Sequence, residues 1–328
     1  MLWVLPTILR LVSIEAKENA VIFILCRNED LDGIKESLKT FEETFNRKYK
    51  YPYLFLNNVD FTDHFKNSIK SVTNNTIEFG KLNSTEWGPP SWIDMKRAEQ
   101  NMKTMEKNGV IYGGSLSYRN MCRFYSGYFY RHELALKYDY YWRIEPGVKF
   151  FCKMNYDPFT YLRENNKEYG FVISVLEHMS TIPSLWSDTI EFLRFNRSNL
   201  TDSTKILNFI LNPDKTYNGC HFWSNFEIAS FKFFRNPLYQ SYFDWLDKKG
   251  GFYYERWGDA PVHSIAAALF LGRDKVYFFE DIGYEHPPFM HCPSSPSRLV
   301  DCKCSPKNSI DLSPFSCMKK YQSELLAN

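Results

Sequence analysis

The stretch AVIFILC, residues 20–26, is apolar without a break and has polar residues on both sides. Strand side chains alternate between faces, so a run apolar at every position belongs to an interior strand covered on both faces. The next segment has a different period. In RNEDLDGIKESLKTFEETFNRKYK, residues 27–50, Leu31, Ile34, Leu38, Phe41 and Phe45 recur at helical spacing, and acidic residues gather at the start, where a helix dipole favours them. YPYLFLNN, residues 51–58, reads as a second buried strand. Strand, helix and strand in that order predict a βαβ unit and a largely parallel sheet with ligands at the carboxyl ends of its strands. The step Arg27-Asn28-Glu29 off the first strand therefore points into the expected crevice.

Further along, SWIDMKRAEQNMKTMEKNG (91–109) and SYRNMCRFYSGYFYRHELALKYD (117–139) look helical, and YGFVISV (169–175) looks like a strand. FYYERWGDAPVHSIAAALFL (252–271) reads as an aromatic loop running into an apolar helix, and KVYFFEDIGYEHPPF (275–289) closes the globular part. The alternation predicts an α/β fold with some mixed strands. No linker or repeat divides the chain, so residues 17–328 are expected to form one catalytic domain, with a Cys-rich tail from about residue 289. Residues 1–16 form a short apolar segment broken by Pro6 and Arg10, too short for the roughly 20 residues of a spanning helix. It reads as a partial anchor or a remnant and leaves membrane attachment open.

Forty Lys plus Arg face 38 Asp plus Glu, interleaved along the chain, which is no electrostatic footprint for nucleic acid. Of the eight cysteines none forms a C-x-x-C pair, and Cys292, Cys302, Cys304 and Cys317 lie in the Pro/Ser-rich tail. A tail so poor in apolar periodicity is expected to be held by disulfides. Sequons at Asn74, Asn83, Asn196 and Asn199 agree with an oxidising secretory compartment.

YYWRIEPGVKFFC, residues 140–152, sets Glu145 between runs of strand-forming residues, and a carboxylate there needs a partner. The other polar groups in aromatic surroundings are Arg27, Tyr118, Arg143, Glu177, His221, Glu227, Asp259, His263 and His286. No G-x-G-x-x-G, P-loop, G-x-S-x-G or H-E-x-x-H accompanies them. Several carboxylates, a few histidines and no evident nucleophilic Ser or Cys suit chemistry at an acetal carbon. The same set suits a hard divalent ion shared with a diphosphate.

YYWRIEPGVKFFC, HFWSNFEIA (221–229), GGFYYERWGDAPVHSIA (250–266) and DIGYEHPPF (281–289) resemble the signature blocks of the fungal Golgi α-1,2-mannosyltransferases, the glycolipid 2-alpha-mannosyltransferases that build yeast-type mannan. The similarity runs from about Lys17 to Pro288. It implies a GT-A-type fold, GDP-mannose as donor, Mn²⁺, retention of the α-configuration, an α-mannoside acceptor on glycoprotein or glycolipid, and a Golgi-lumenal, type II membrane-attached enzyme. Glu145 matches the carboxylate that replaces a D-x-D metal motif, with Arg143 beside it, and His286 matches the direct metal ligand. Glu227 matches the carboxylate proposed to face the anomeric carbon. Asp259 and Tyr118 match acceptor-site and donor-site positions, Glu177 a further active-site carboxylate, and Arg27 a base contacting diphosphate or guanine. Asp259 could instead cap the helix that follows it; His221 and His263 read as core or supporting histidines. Two features depart from the family: Lys153 stands where an acidic residue is usual, and the N-terminal segment is shorter than a type II span. Transfer of mannose 1-phosphate from the same donor, and mannan binding without catalysis, are the alternatives.

Overall fold

The structure, a computed structural model, describes residues 17–196 and 206–326. The segment 1–16, the sequon at Asn199 and all but the first residue of that at Asn196 lie outside them, while Asn74 and Asn83 are exposed. The strands in chain order are β1 (Ala20–Leu25), β2 (Tyr53–Asn57), β3 (Ile77–Lys81), β4 (Tyr140–Arg143), β5 (Lys149–Phe150), β6 (Tyr169–Phe171), β7 (Ser174–Leu176), β8 (Cys220–Phe222), β9 (Glu227–Ser230), β10 (Val276–Phe278), β11 (Tyr284–His286) and β12 (Phe289–His291).

Seven of them form the central sheet in the order β10-β6-β9-β4-β1-β2-β3. β1 runs parallel to β2 and β4, β2 to β3, and β6 to β10; β9 alone is antiparallel to its neighbours β4 and β6. Each face carries its own core. Val21, Phe23, Leu54, Leu56 and Tyr141 pack into one cluster, and Ile22, Ile24, Tyr53, Phe55 and Trp142 into the other. That two-sided burial is why β1 and β2 are apolar at successive positions.

The run 140–152 is not one strand. β4 ends at Arg143, the chain turns at Glu145-Pro146-Gly147 with Gly147 at φ +83°, and β5 joins β11 and β12 in a small antiparallel sheet. The corner is tied to the first long helix, Leu31–Phe41: Ser37 Oγ donates to the Glu145 carbonyl at 2.9 Å and Gly147 N–H to the Gly33 carbonyl at 3.1 Å. The helix expected over 117–139 is also shorter, running Leu116–Gly127. Gly127 lies so close to the Phe243 ring that a Cβ would stand 2.0 Å from it. Beyond it the chain turns, and Arg235 donates to the carbonyls of Tyr130, Ala135 and Tyr138.

All four tail cysteines are bonded, in the pairs Cys152–Cys302, Cys220–Cys317 and Cys292–Cys304; Cys26 and Cys122 are free and buried. The expectation that disulfides alone hold the tail is corrected by burial of Ile310, Met318 and Tyr321, whose ring packs edge-on against Phe171, Phe209 and Phe222. These apolar residues stand singly among Ser, Pro and Lys, so no periodicity announced them. Among the described residues no helix is long and apolar enough to cross a membrane.

Candidate active site

The carboxyl ends of β1, β2 and β4 and the start of antiparallel β9 open on a cleft of about 650 Å³. Arg27, Tyr118, Arg143, Glu145, Glu177, Asp259 and His286 all line it. They come from the first βα step, the ends of two strands, two loops and two helix starts, brought together by the switch of strand order beside β1.

Arg143 is the centre of the arrangement. Its side chain is buried, its Nη1 donates to Asp259 Oδ2 at 2.5 Å, and its Nε donates to Glu145 Oε1 at 3.0 Å, with Nη2 on the same oxygen. Its guanidinium also lies 3.4 Å from the Tyr125 ring centroid. Burial would raise the pKa of Glu145, but the charge of Arg143 and the neighbouring His286 outweigh it and hold the carboxyl at about 2. Asp259 is the first residue of the helix Asp259–Phe270, whose cap position is Gly258, so it is not the cap. Its Oδ2 accepts from Ser224 Oγ at 2.6 Å as well as from Arg143, and among the described residues no hydrogen bond falls on Oδ1.

His286 ends β11. Its Nε2 lies 3.4 Å from Glu145 Oε2 while its Nδ1 meets the Pro287 carbonyl at 3.0 Å, and its ring packs edge-on against Trp223. A carbonyl at Nδ1 requires the proton there, so neutral His286 turns a free Nε2 lone pair toward the carboxylate: the donor set and tautomer of a metal-binding imidazole. Burial lowers its pKa and Glu145 raises it more, so the net shift is upward.

Glu177 is mostly buried, accepts the His178 N–H at 2.7 Å and lies 3.7 Å from Arg256 Nη2. Tyr118 stacks on Tyr112 at 4.5 Å. Arg27 stands at the rim, half exposed, paired with Glu29 at 3.3 Å and Asp30 at 3.6 Å.

Glu227 is placed differently from the other predicted residues. It does not line the cleft; it is wholly buried beneath it, on the sheet face it shares with Arg143. Oε2 accepts from Tyr141 at 2.9 Å, and Oε1 accepts from Tyr169 at 2.5 Å and meets His263 Nδ1 at 2.7 Å. The other nitrogen of His263 faces the Tyr125 carbonyl at 2.9 Å. Burial lowers the pKa of His263, and the charge of Glu227 more than reverses this, so the net shift is upward. The expectation that Glu227 faces the anomeric carbon is therefore revised, since tyrosine hydroxyls and His263 enclose its oxygens.

Arg256, Trp223 and Ser224 are among the cleft residues that the sequence did not single out. Arg256 is 5% exposed and its Nε has no hydrogen-bond partner among the described residues. An arginine inside so aromatic a run as FYYERWGDAP was the available signal.

The chain matches the profile of the family described as glycolipid 2-alpha-mannosyltransferase over residues 6–325. It belongs to that family. It is 49% identical to the O-glycoside alpha-1,2-mannosyltransferase omh1 of Schizosaccharomyces pombe, over 92% of this chain and 78% of the relative. Identity is 46% to the glycolipid 2-alpha-mannosyltransferase of Saccharomyces cerevisiae, over 93% and 69%. Among solved structures it is similar to core-mannan synthase A from Aspergillus fumigatus in its Mn/GDP form, with a TM-score of 0.89 and 40% identity over 94% of this chain and 86% of that one. Ktr4p of S. cerevisiae in complex with GDP superposes with the same score, over 94% and 82%. The α/β fold of this glycolipid 2-alpha-mannosyltransferase family member, with its mostly parallel central sheet, is thus that of GT-A-like mannosyltransferases.

Proposed function

We propose that this chain transfers mannose from GDP-mannose to the 2-hydroxyl of an α-mannoside on O-linked or N-linked glycans or glycolipids in the Golgi lumen, with retention of configuration. The observation that carries this reading is the approach of Glu145 and His286 within a cleft at the strand ends, beside two further carboxylates. Mn²⁺ held by His286 and by Glu145, directly or through water, would neutralise the charge of the departing GDP. Arg143 fixes the rotamers of Glu145 and Asp259 together, and Arg27 stands where a diphosphate or guanine enters. The carboxylates open to the sugar are Asp259 and Glu177. Their charge stabilises the positive charge developing at the anomeric carbon, and Asp259 Oδ1 is free to orient the attacking hydroxyl. Glu227 acts through Tyr141, Tyr169 and His263 as a positioning residue.

Incubation with GDP-mannose, Mn²⁺ and methyl α-mannoside, followed by mass and linkage analysis, tests this. The expected product is an uncharged α-1,2-linked disaccharide, absent when a chelator is added. His286→Ala should weaken Mn²⁺ binding at least tenfold while the protein stays folded. A phosphodiester product would assign mannosylphosphate transfer instead, and full activity in chelator would remove the metal from the scheme.

A further inference from the structure

Tyr112 is a large aromatic residue left 59% exposed, and its φ of +57° lies in the left-handed region that side chains other than glycine seldom adopt. Neither feature comes from a loose loop. Val110 N–H donates to the Met105 carbonyl at 3.0 Å, and the Tyr112 carbonyl accepts from Ser115 N–H at 3.0 Å and from Arg119 Nη1 at 3.4 Å. Gly113 lets the loop press on the preceding helix, Met95–Lys107, since a Cβ there would stand 2.8 Å from the Met105 backbone. The strained conformer lays the Tyr112 ring against Tyr118 with planes 11° apart, and the Arg256 guanidinium lies 5.2 Å from the Tyr118 ring centroid.

We propose that the outward face of Tyr112 binds the second pyranose of the acceptor, the sugar next to the mannose that receives the transferred unit. This rests on the mannoside-acceptor reading above. A mannopyranose carries hydroxyls around its edge and a patch of C–H bonds on its face, and an exposed tyrosine ring covers such a patch while the hydroxyls remain in water. Tyr112 belongs to the acceptor wall. The link to the acceptor side is Arg119, which binds the Tyr112 carbonyl and also the Glu255 carbonyl at 3.0 Å, in the loop that leads to Asp259; Tyr118, the donor-site match, lies behind the Tyr112 ring. Because the ring is already fixed, stacking a sugar on it costs little ordering entropy.

The test compares methyl α-mannoside with the methyl glycoside of an α-linked dimannoside as acceptors, and measures GDP affinity by calorimetry. The wild-type kcat/KM should favour the dimannoside by about five- to tenfold. Tyr112→Ala should bring that ratio close to one through the dimannoside KM, and Tyr112→Trp should restore it. Tyr112→Gly relieves the backbone strain yet should lose the ratio as fully as alanine, which separates ring from backbone. A ratio unchanged in both small variants overturns the proposal. So does a tenfold loss of GDP affinity, which would give the ring to the base. Wild-type transfer to neither acceptor would instead overturn the mannoside reading itself, and this subsite with it.

Discussion

At the scale of single residues, Glu227 and His263 form a buried pair beneath the cleft, not in its lining. The pair is fully buried, and each partner leaves a costly unpaired charge if the other is removed. The linkage has a definite sign. The folded pKa of His263 lies above its ordinary 6.5, so the pair's contribution to stability is complete below about 6.5 and is lost as pH rises through the elevated value. Glu227→Gln should lower stability by about 3 kcal/mol at acidic to neutral pH and flatten that limb of the stability–pH curve, as denaturant melts over a pH series would record. A variant that stays as stable as the wild type while turnover falls about a hundredfold would return Glu227 to the reacting centre. Glu145 has the opposite sign. Its carboxyl, held at about 2, adds stability that is present above about 4.5 and is lost as pH falls toward 2.

At the scale of elements, the small sheet formed by β5, β11 and β12 positions the two proposed metal ligands, because Glu145 lies in the corner that feeds β5 and His286 ends β11. The tail fastens this sheet twice: Cys152 lies two residues past the end of β5 and bonds Cys302, and Cys292 directly follows β12 and bonds Cys304. The third bond, Cys220–Cys317, anchors the tail to β8, away from that sheet. Replacing Cys152 and Cys302 by Ser should cost about 2–4 kcal/mol and also weaken Mn²⁺ binding, since the ligands lose their relative placement. Replacing Cys220 and Cys317 should cost a similar stability but leave Mn²⁺ affinity unchanged. Calorimetric titration of the two double variants compares them directly, and equal effects on the metal would show that the clamp near the ligands has no special part.

At the scale of the whole molecule, the parallel half of the sheet was legible because β1 is apolar at every position and β2 at every position before its terminal Asn57, whereas β9 is four residues of which the first is a glutamate, too short to reveal its antiparallel insertion. The same limit applies to the site. Glu145, His286, Asp259 and Glu177 could be picked out as polar residues in aromatic blocks, but the burial of Glu227 depends on Tyr169 and His263, distant in sequence, and the exposure of Tyr112 depends on a backbone angle that no local pattern encodes. What the folded molecule adds is a site assembled by its own charges: Arg143 joins Asp259 to Glu145, and Glu145 faces His286, between two apolar cores that owe nothing to a metal. Removing the ion should therefore abolish transfer without unfolding the chain. Chelated protein should keep its circular dichroism spectrum and melt cooperatively. Adding GDP at about a hundred times its Kd to the Mn²⁺-loaded protein should raise stability by about 2.7 kcal/mol through mass action, which in a chain of this size is a rise of a few degrees in Tm. A fall of more than about 10 °C on chelation alone, well beyond that scale, would mean that the metal holds the fold, and the preassembled network would no longer account for the site.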